Sequence, residues 1–484
     1  PSIDGTYDLG STTYEWEDLW IDGTANIDSL IADTADINGG TIDGTAIGAT
    51  TPSTGVFSTV VANTSVTSPI VNATTALQIN GTALSLNHLS DVLVADGSLY
   101  LGHDPTSTDS TAQNNIAVGA TALDAVTTGD ANIAIGHNAL GASTSSTGNV
   151  AIGIDAMNAV TTSNTQAVAV GYAAGKATTT GLFNVFVGYE AGASLTTGEG
   201  NVAVGHNALS SATTGTSNNI AIGVNALRNH QANEDSDNVA VGYRAGQSVT
   251  TGQENILIGS DVGYSTTTGL YNVAIGHNAL YTNVDGDGTV AVGYEALYTM
   301  EPSDGLSHNT AVGYRAGKAT TTATGLTYIG SRAGEANQGG VENTGIGMGA
   351  LRDTTIGANN TAVGAQALES NVDGSHSVAV GHEALTNQDP ASAVNMYNVA
   401  IGSEAGRATS TGTENVFAGG QAGYANTVGV QNVFAGRQAG YTNVDGSRSV
   451  GIGYRALYLQ EPSGATDTYN VGVGYNAGGA ISIG

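Results

Sequence analysis

The chain has 484 residues, of which 70 are Gly, 7 Pro and none Cys, and 11 Lys and Arg stand against 41 Asp and Glu for a formal charge of −30. Without cysteine there are no disulfide staples. Without a run of about 18 apolar residues there is no transmembrane helix, and so negative a chain is a poor partner for nucleic-acid phosphates or anionic membranes.

Residues 1–105 read as an irregular, β-rich shaft or docking segment that needs partner chains to bury its short strands. Ile-Asp-Gly-Thr recurs from Ile3, Ile21 and Ile42, and Ile-Asn-Gly from Ile37 and Ile79. Both tryptophans, Trp16 and Trp20, lie in this region. Short apolar pieces alternate with Gly, Asp and Thr turns, and only residues 25–37 carry a weak helical period. Residues 86–102 connect this region to the remainder of the chain.

Residues 106–484 are one array. A phrase of the form Asn-Val-Ala-Val-Gly recurs in 21 copies, with its glycine at Gly119, Gly136, Gly153 and so on to Gly453 and Gly474. Most intervals are 17 residues and the rest are 18 to 21. Counted from that glycine, position −4 is Asn in 16 copies, −3 and −1 are Val or Ile in nearly all, and +3 is Ala in 20, with Val262 the exception. A period of this kind marks a solenoid. The β-branched phrase predicts a short strand with both Val/Ile positions on one face and a small residue on the other, apolar on both sides. Thr-Thr-Gly or Asp-Gly then predicts a turn. The expected fold is all-β: a parallel β-solenoid, or β-roll, of about 21 coils of about 17 residues, each coil made of two short strands and two turns. The recurrent Asn suits an inward amide ladder or a turn cap. A thin coil cannot cover both strand faces itself, so an oligomer around a shared axis is expected.

Three longer coils begin at Gly293, Gly381 and Gly453. Each follows an Asn-Val-Asp-Gly turn, from Asn283, Asn371 and Asn443, and each contains an acidic residue followed by Pro302, Pro390 or Pro462. The glycines are 88 and 72 residues apart, or five coils and four. Extra residues in a solenoid emerge as surface loops.

The phrase Asn132-Ile133-Ala134-Ile135-Gly136 and its relatives resemble the head repeats of trimeric autotransporter adhesins, whose repeat is shorter than 17 residues. The segments DLGSTTYEWEDLWIDG and NGGTIDGTAIGATTPSTGVFSTVVA, the latter spanning residues 38–62, are similar to bacteriophage tail fibres of the marine and cyanobacterial type. The combined resemblance implies a homotrimeric structural fibre of a virion, joined to other virion proteins at one end and presenting surfaces for host attachment to a glycan or protein receptor. A bacterial cell-surface trimeric adhesin is the alternative it implies.

Nothing in the residue pattern points to an enzyme, a cofactor or a metal site. His137, His206, His277 and His382 follow the repeat glycine where Tyr stands in seven other copies, so stacking of outward aromatic side chains accounts for them. Residues 285–288, Asp-Gly-Asp-Gly, lack the spacing of a calcium loop and read as a turn. Glu190, Glu295 and Glu404, two residues after the glycine, read as a solvated face rather than as a glycosidase carboxylate pair. The Thr-Thr-Gly turns resemble the flat threonine face of ice-binding solenoids, but too many coils lack them.

Overall fold

The computed structural model describes residues 21–24, 78–79, 82–83, 92–95, 97–101, 112–161, 166–232, 235–301, 305–460, 464 and 466–481. The chain divides into two units, Pro1–Thr82 and Ala83–Gly484. Trp16, Trp20, Ile3, Ile37, Ile42 and the segment 38–62 lie outside the described residues, as do Pro302 and Pro462.

The second unit is a parallel β-solenoid of 21 coils with no helix among its described residues. Each coil contributes one strand of three residues, from Ile116–Val118 to Val471–Val473. Each strand pairs in parallel with the next, residue for residue: Ala117 lies opposite Ala134, and Ala134 opposite Ala151. At a strand spacing of about 4.8 Å the stack rises roughly 100 Å. An antiparallel hairpin, Val92–Ala95 with Ser98–Leu101, precedes it, and Leu99 to Leu101 pair in parallel with the first strand. The first rung of the sheet therefore comes from the stretch expected to be only a connector.

The coil differs from expectation in having one strand rather than two. After the glycine the chain follows a series of turns, because positions +2 and +4 adopt a left-handed conformation. In one coil these are Asn138 (φ 59°) and Leu140 (φ 49°), in another Asn278 (φ 57°) and Leu280 (φ 55°). A left-handed residue cannot continue a strand. The benefit of the turns is side-chain placement: +3 and +4, which the sequence suggests begin a return strand, both point into the core.

In every coil but the last, the core holds one residue from each of five positions. The central strand residue, the +3 alanine, the +4 residue, the +7 residue and the −4 residue are buried, as Ala134, Ala139, Leu140, Ser143 and Asn132 illustrate. Position −4 forms the amide ladder. The Asn115 Oδ1 accepts from the backbone N–H of Asn132 at 2.9 Å and from Asn132 Nδ2 at 3.1 Å, while Asn115 Nδ2 donates to the Gly129 carbonyl at 2.7 Å. The same side chain thus ties coil to coil and clips the start of a strand to the turn below it. Both roles foreseen for this asparagine are realised together.

The repeat glycine is required by two independent constraints. Its φ lies between +124° and +144° throughout, a region essentially closed to other residues. The stack is also tight there: a Cβ on Gly242 would sit 2.2 Å from the carbonyl oxygen of Gly259.

Position +7 carries the buried titratable side chain His230. Burial pushes its pKa down to about 4, against a hydrogen bond with Thr250 that opposes the shift. The unfolded chain takes up this proton near pH 6.5 and the folded coil only near pH 4, so stability is retained above pH 6.5 and falls as pH drops toward 4. The full loss is about 3 kcal/mol. Replacing His230 with Asn, which stands at this position in other coils, will flatten that part of the stability-against-pH curve in denaturant titrations. An unchanged slope would contradict the assignment.

Candidate functional surface

The outward face of the strands is the surface that stands out. Positions −3 and −1 point away from the core, opposite to the buried central residue. Position −3 is Val or Ile in 17 coils and Thr in four consecutive ones (Thr310, Thr327, Thr344, Thr361). Position −1 is Val or Ile in 19 coils, with Ala418 and Ala435 as exceptions. Neither column holds a charged residue, in a chain of charge −30. These side chains are partly open to solvent: Ile135 is 37% exposed, Ile256 39% and Ile401 50%. A single chain therefore carries an uncharged, largely aliphatic stripe along its 21 coils, two Val/Ile residues wide except at the four threonine coils and the two alanine coils.

Beside the stripe, at +1, aromatic rings stack from coil to coil. Tyr172, Tyr189 and His206 have centroids 5.0 and 5.1 Å apart, and His277, Tyr294 and Tyr314 have centroids 5.5 and 5.4 Å apart. A second column at +5 stacks Tyr264, Tyr281 and Tyr298. Arg244 at +2 lies 4.7 Å from the Tyr243 centroid and 5.1 Å from that of Tyr264, and it pairs with Asp261 at 2.7 Å. Lys176 donates to Asp155 at 3.1 Å, and that bond, with another from Asn138, holds Asp155 below the usual carboxylate range. These pairs lie on the +2 face, where exposed pairs add little stability. Exposed charges at −5 (Asp237, Glu254, Glu342, Glu414, Arg448) and Arg437 at +1 flank the stripe without entering it.

The four histidines singled out from the sequence are spread along the +1 column and do not converge. His206 and His277 stack on tyrosines, and His382 Nε2 lies 3.8 Å from Glu383. Among the described residues no three His, Asp or Glu side chains are grouped to hold a metal. In the 285–288 turn, Asn283 Oδ1 accepts from the Gly286 N–H at 3.1 Å, and Asp287 Oδ1 accepts from the Leu270 N–H at 2.6 Å. Glu295 accepts from Arg315 and is paired with Lys318 at 2.7 Å, and Glu404 accepts from Gln421. Glu190 lines a shallow open trough with Tyr172, Lys176, Asn207, Ser210 and Arg228. The first threonine of the second turn bonds the backbone: Thr127 and Thr250 donate to the carbonyls of Thr144 and Thr267 in the next coil, while the second, Thr128 or Thr251, is exposed. They form a structural ladder.

The fold and this surface define a parallel β-solenoid repeat protein with one three-residue strand per coil. No protein-family profile matches the chain, and no curated protein does.

Proposed function

We propose that the chain is a structural fibre protein of a virion, a homotrimer that spaces and presents host-attachment surfaces. The observation that carries this reading is the aliphatic stripe. Two columns of partly exposed Val and Ile side chains over 21 coils amount to on the order of 2,000 Å² per chain, more than the ~800 Å² per partner of a standard interface. An uncovered apolar patch of that size is foreign to a soluble monomer, and an uncharged face on a strongly acidic chain accepts another uncharged face most readily. The partner that supplies one along the same length is a second copy.

Support for the location comes from the N-terminal phrases, which resemble tail-fibre sequences, and support for the trimer from the repeat phrase, which resembles the head repeats of trimeric adhesins. The mechanical role follows from the ladders: backbone pairing runs from coil to coil without a break, and buried amides and stacked rings reinforce it over runs of coils and give a stiff array. One end joins other virion proteins, and the charged and aromatic side chains outside the seam are left for a host glycan or protein. Gold-labelled antibody against the chain tests this on purified particles. Label on the tail fibres is the expected result. Label on uninfected bacterial surfaces and none on particles would replace the reading with a cell-surface adhesin.

A further inference from the structure

A seam made only of the stripe has a register problem. Fifteen of the 21 coils present Val or Ile at both positions, so over most of the seam sliding one copy along another by a whole coil, about 4.8 Å, exchanges one aliphatic contact for a near-identical one. Pairing with so little positional information is prone to slippage.

The three long coils carry what the stripe lacks. They are specified by a matched set of residues inside the core. Where most coils have Asn at −4, these have Thr289, Ser377 and Ser449, and at +7 they have the long side chains Met300, Gln388 and Gln460. The two positions meet: Gln388 Nε2 donates to Ser377 Oγ at 3.0 Å, Gln460 Nε2 to Ser449 Oγ at 2.9 Å, and Thr289 Oγ1 to Met300 Sδ at 3.8 Å. The returning part of each loop lies on the preceding coil in parallel. Gly374–Ser375 pairs with Val394–Asn395, Asp287 bridges to Leu306, and Ser447 bridges to Asp467. Each return segment runs directly into an outward-facing strand, so the described return segments of the three long coils lie at the same edge of the stripe. Each presents an exposed apolar side chain there: Leu306 (59%), Val394 (40%) and Tyr469 (65%).

The loops occur after intervals of five coils and four. Because the intervals are unequal, a slip of one, two or three coils superposes no loop on another, and slips of four, five or nine superpose only a single pair. All three coincide only at zero slip. We infer that the three loops are a register key, fixing the axial alignment of parallel copies that meet along the stripe. This rests on the self-association proposed above.

The chain has no cysteine, so one spin label on Ser331→Cys, an exposed site beside the stripe between the first two loops, reports the distance between copies by pulsed electron resonance. The full chain is expected to give one narrow distribution. Trimming the three coils to 17 residues, with Thr289, Ser377 and Ser449 changed to Asn and Met300, Gln388 and Gln460 changed to Thr, is expected to broaden the distribution toward longer distances as copies slip along the axis by multiples of about 4.8 Å. If that variant does not fold, Leu306→Asp, Val394→Asp and Tyr469→Asp together leave the coil interior untouched and are expected to broaden the distribution in the same way. An oligomer whose narrow distribution survives these changes overturns the register key alone. A parent chain that sediments as a monomer overturns the seam and the key together.

Discussion

A Gly242→Ala chain will lose about 4 kcal/mol or more of local stability, among the largest effects a single substitution produces. Two penalties coincide. The backbone at φ +144° is strained for any residue with a Cβ, and that Cβ would stand 2.2 Å from the Gly259 carbonyl oxygen. The obstacle is backbone, which cannot swing aside as a side chain can. In a stack where each coil touches only its neighbours, such a break divides the array into two shorter ones. Amide exchange should accelerate at Val239–Val241 and Ile256–Ile258 while strands several coils away stay protected, and protease should cut near the break. A variant that keeps its protection at these strands would show that the glycine ladder does not hold the coils in place.

The second large effect concerns how the core is filled. A bulky central strand residue occurs only with glycine at +4 of its own coil: Phe186 with Gly192, Leu257 with Gly263, Tyr328 with Gly334, Phe417 with Gly423, Phe434 with Gly440. Coils with Ala or Gly at the centre carry Leu or Met at +4, except where the next coil intrudes and in the last coil, which has Gly478. The geometry explains the rule: a Cβ on Gly192 would lie 2.4 Å from the Phe186 ring, and one on Gly175, in the preceding coil, 2.6 Å from it. Gly192→Leu will therefore destabilise the array by about 3 kcal/mol through overpacking, and Phe186→Ala by about 3–5 kcal/mol through a cavity. The double variant rebuilds the common Ala/Leu coil. It should be more stable than Gly192→Leu alone, leaving the void beside Gly175. Thermal and denaturant unfolding of the four chains gives the coupling energy, expected at the upper end of the 0.5–3 kcal/mol range for touching residues. Additive losses would refute the packing rule.

The period was legible because the glycine ladder has a cause that repeats in every coil. Where a Cβ would strike the next coil, one letter persists from Gly119 to Gly453, and the asparagine ladder recurs because its hydrogen bonds to the next coil recur. The orientation of the strand was less legible. In Val-Ala-Val both faces are apolar, and hydrophobicity alone would place the valines inside; alanine takes the interior because Leu or Met at +4 already fills it. The second strand was misjudged because left-handed backbone at residues such as Asn138 and Leu140 leaves little mark on composition. Asn suits that conformation, whereas Leu adopts it only under the constraint of the stack. The matched residues of the long coils were present in the sequence but separated by eleven positions, as in Ser377 and Gln388, and only folding brings them together. The aliphatic stripe was foreseen as an uncovered face, and the fold shows which side chains make it.

That stripe carries the central claim, and the mass of the full chain in solution tests it most directly. A chain of 48.1 kDa with the stripe covered by its own copies will sediment at three times that mass at micromolar concentration. Charged substitutions within the stripe, such as Ile256→Asp with Ile258→Asp, will weaken that assembly. A folded chain that remains at 48.1 kDa, unaffected by those substitutions, would contradict the account.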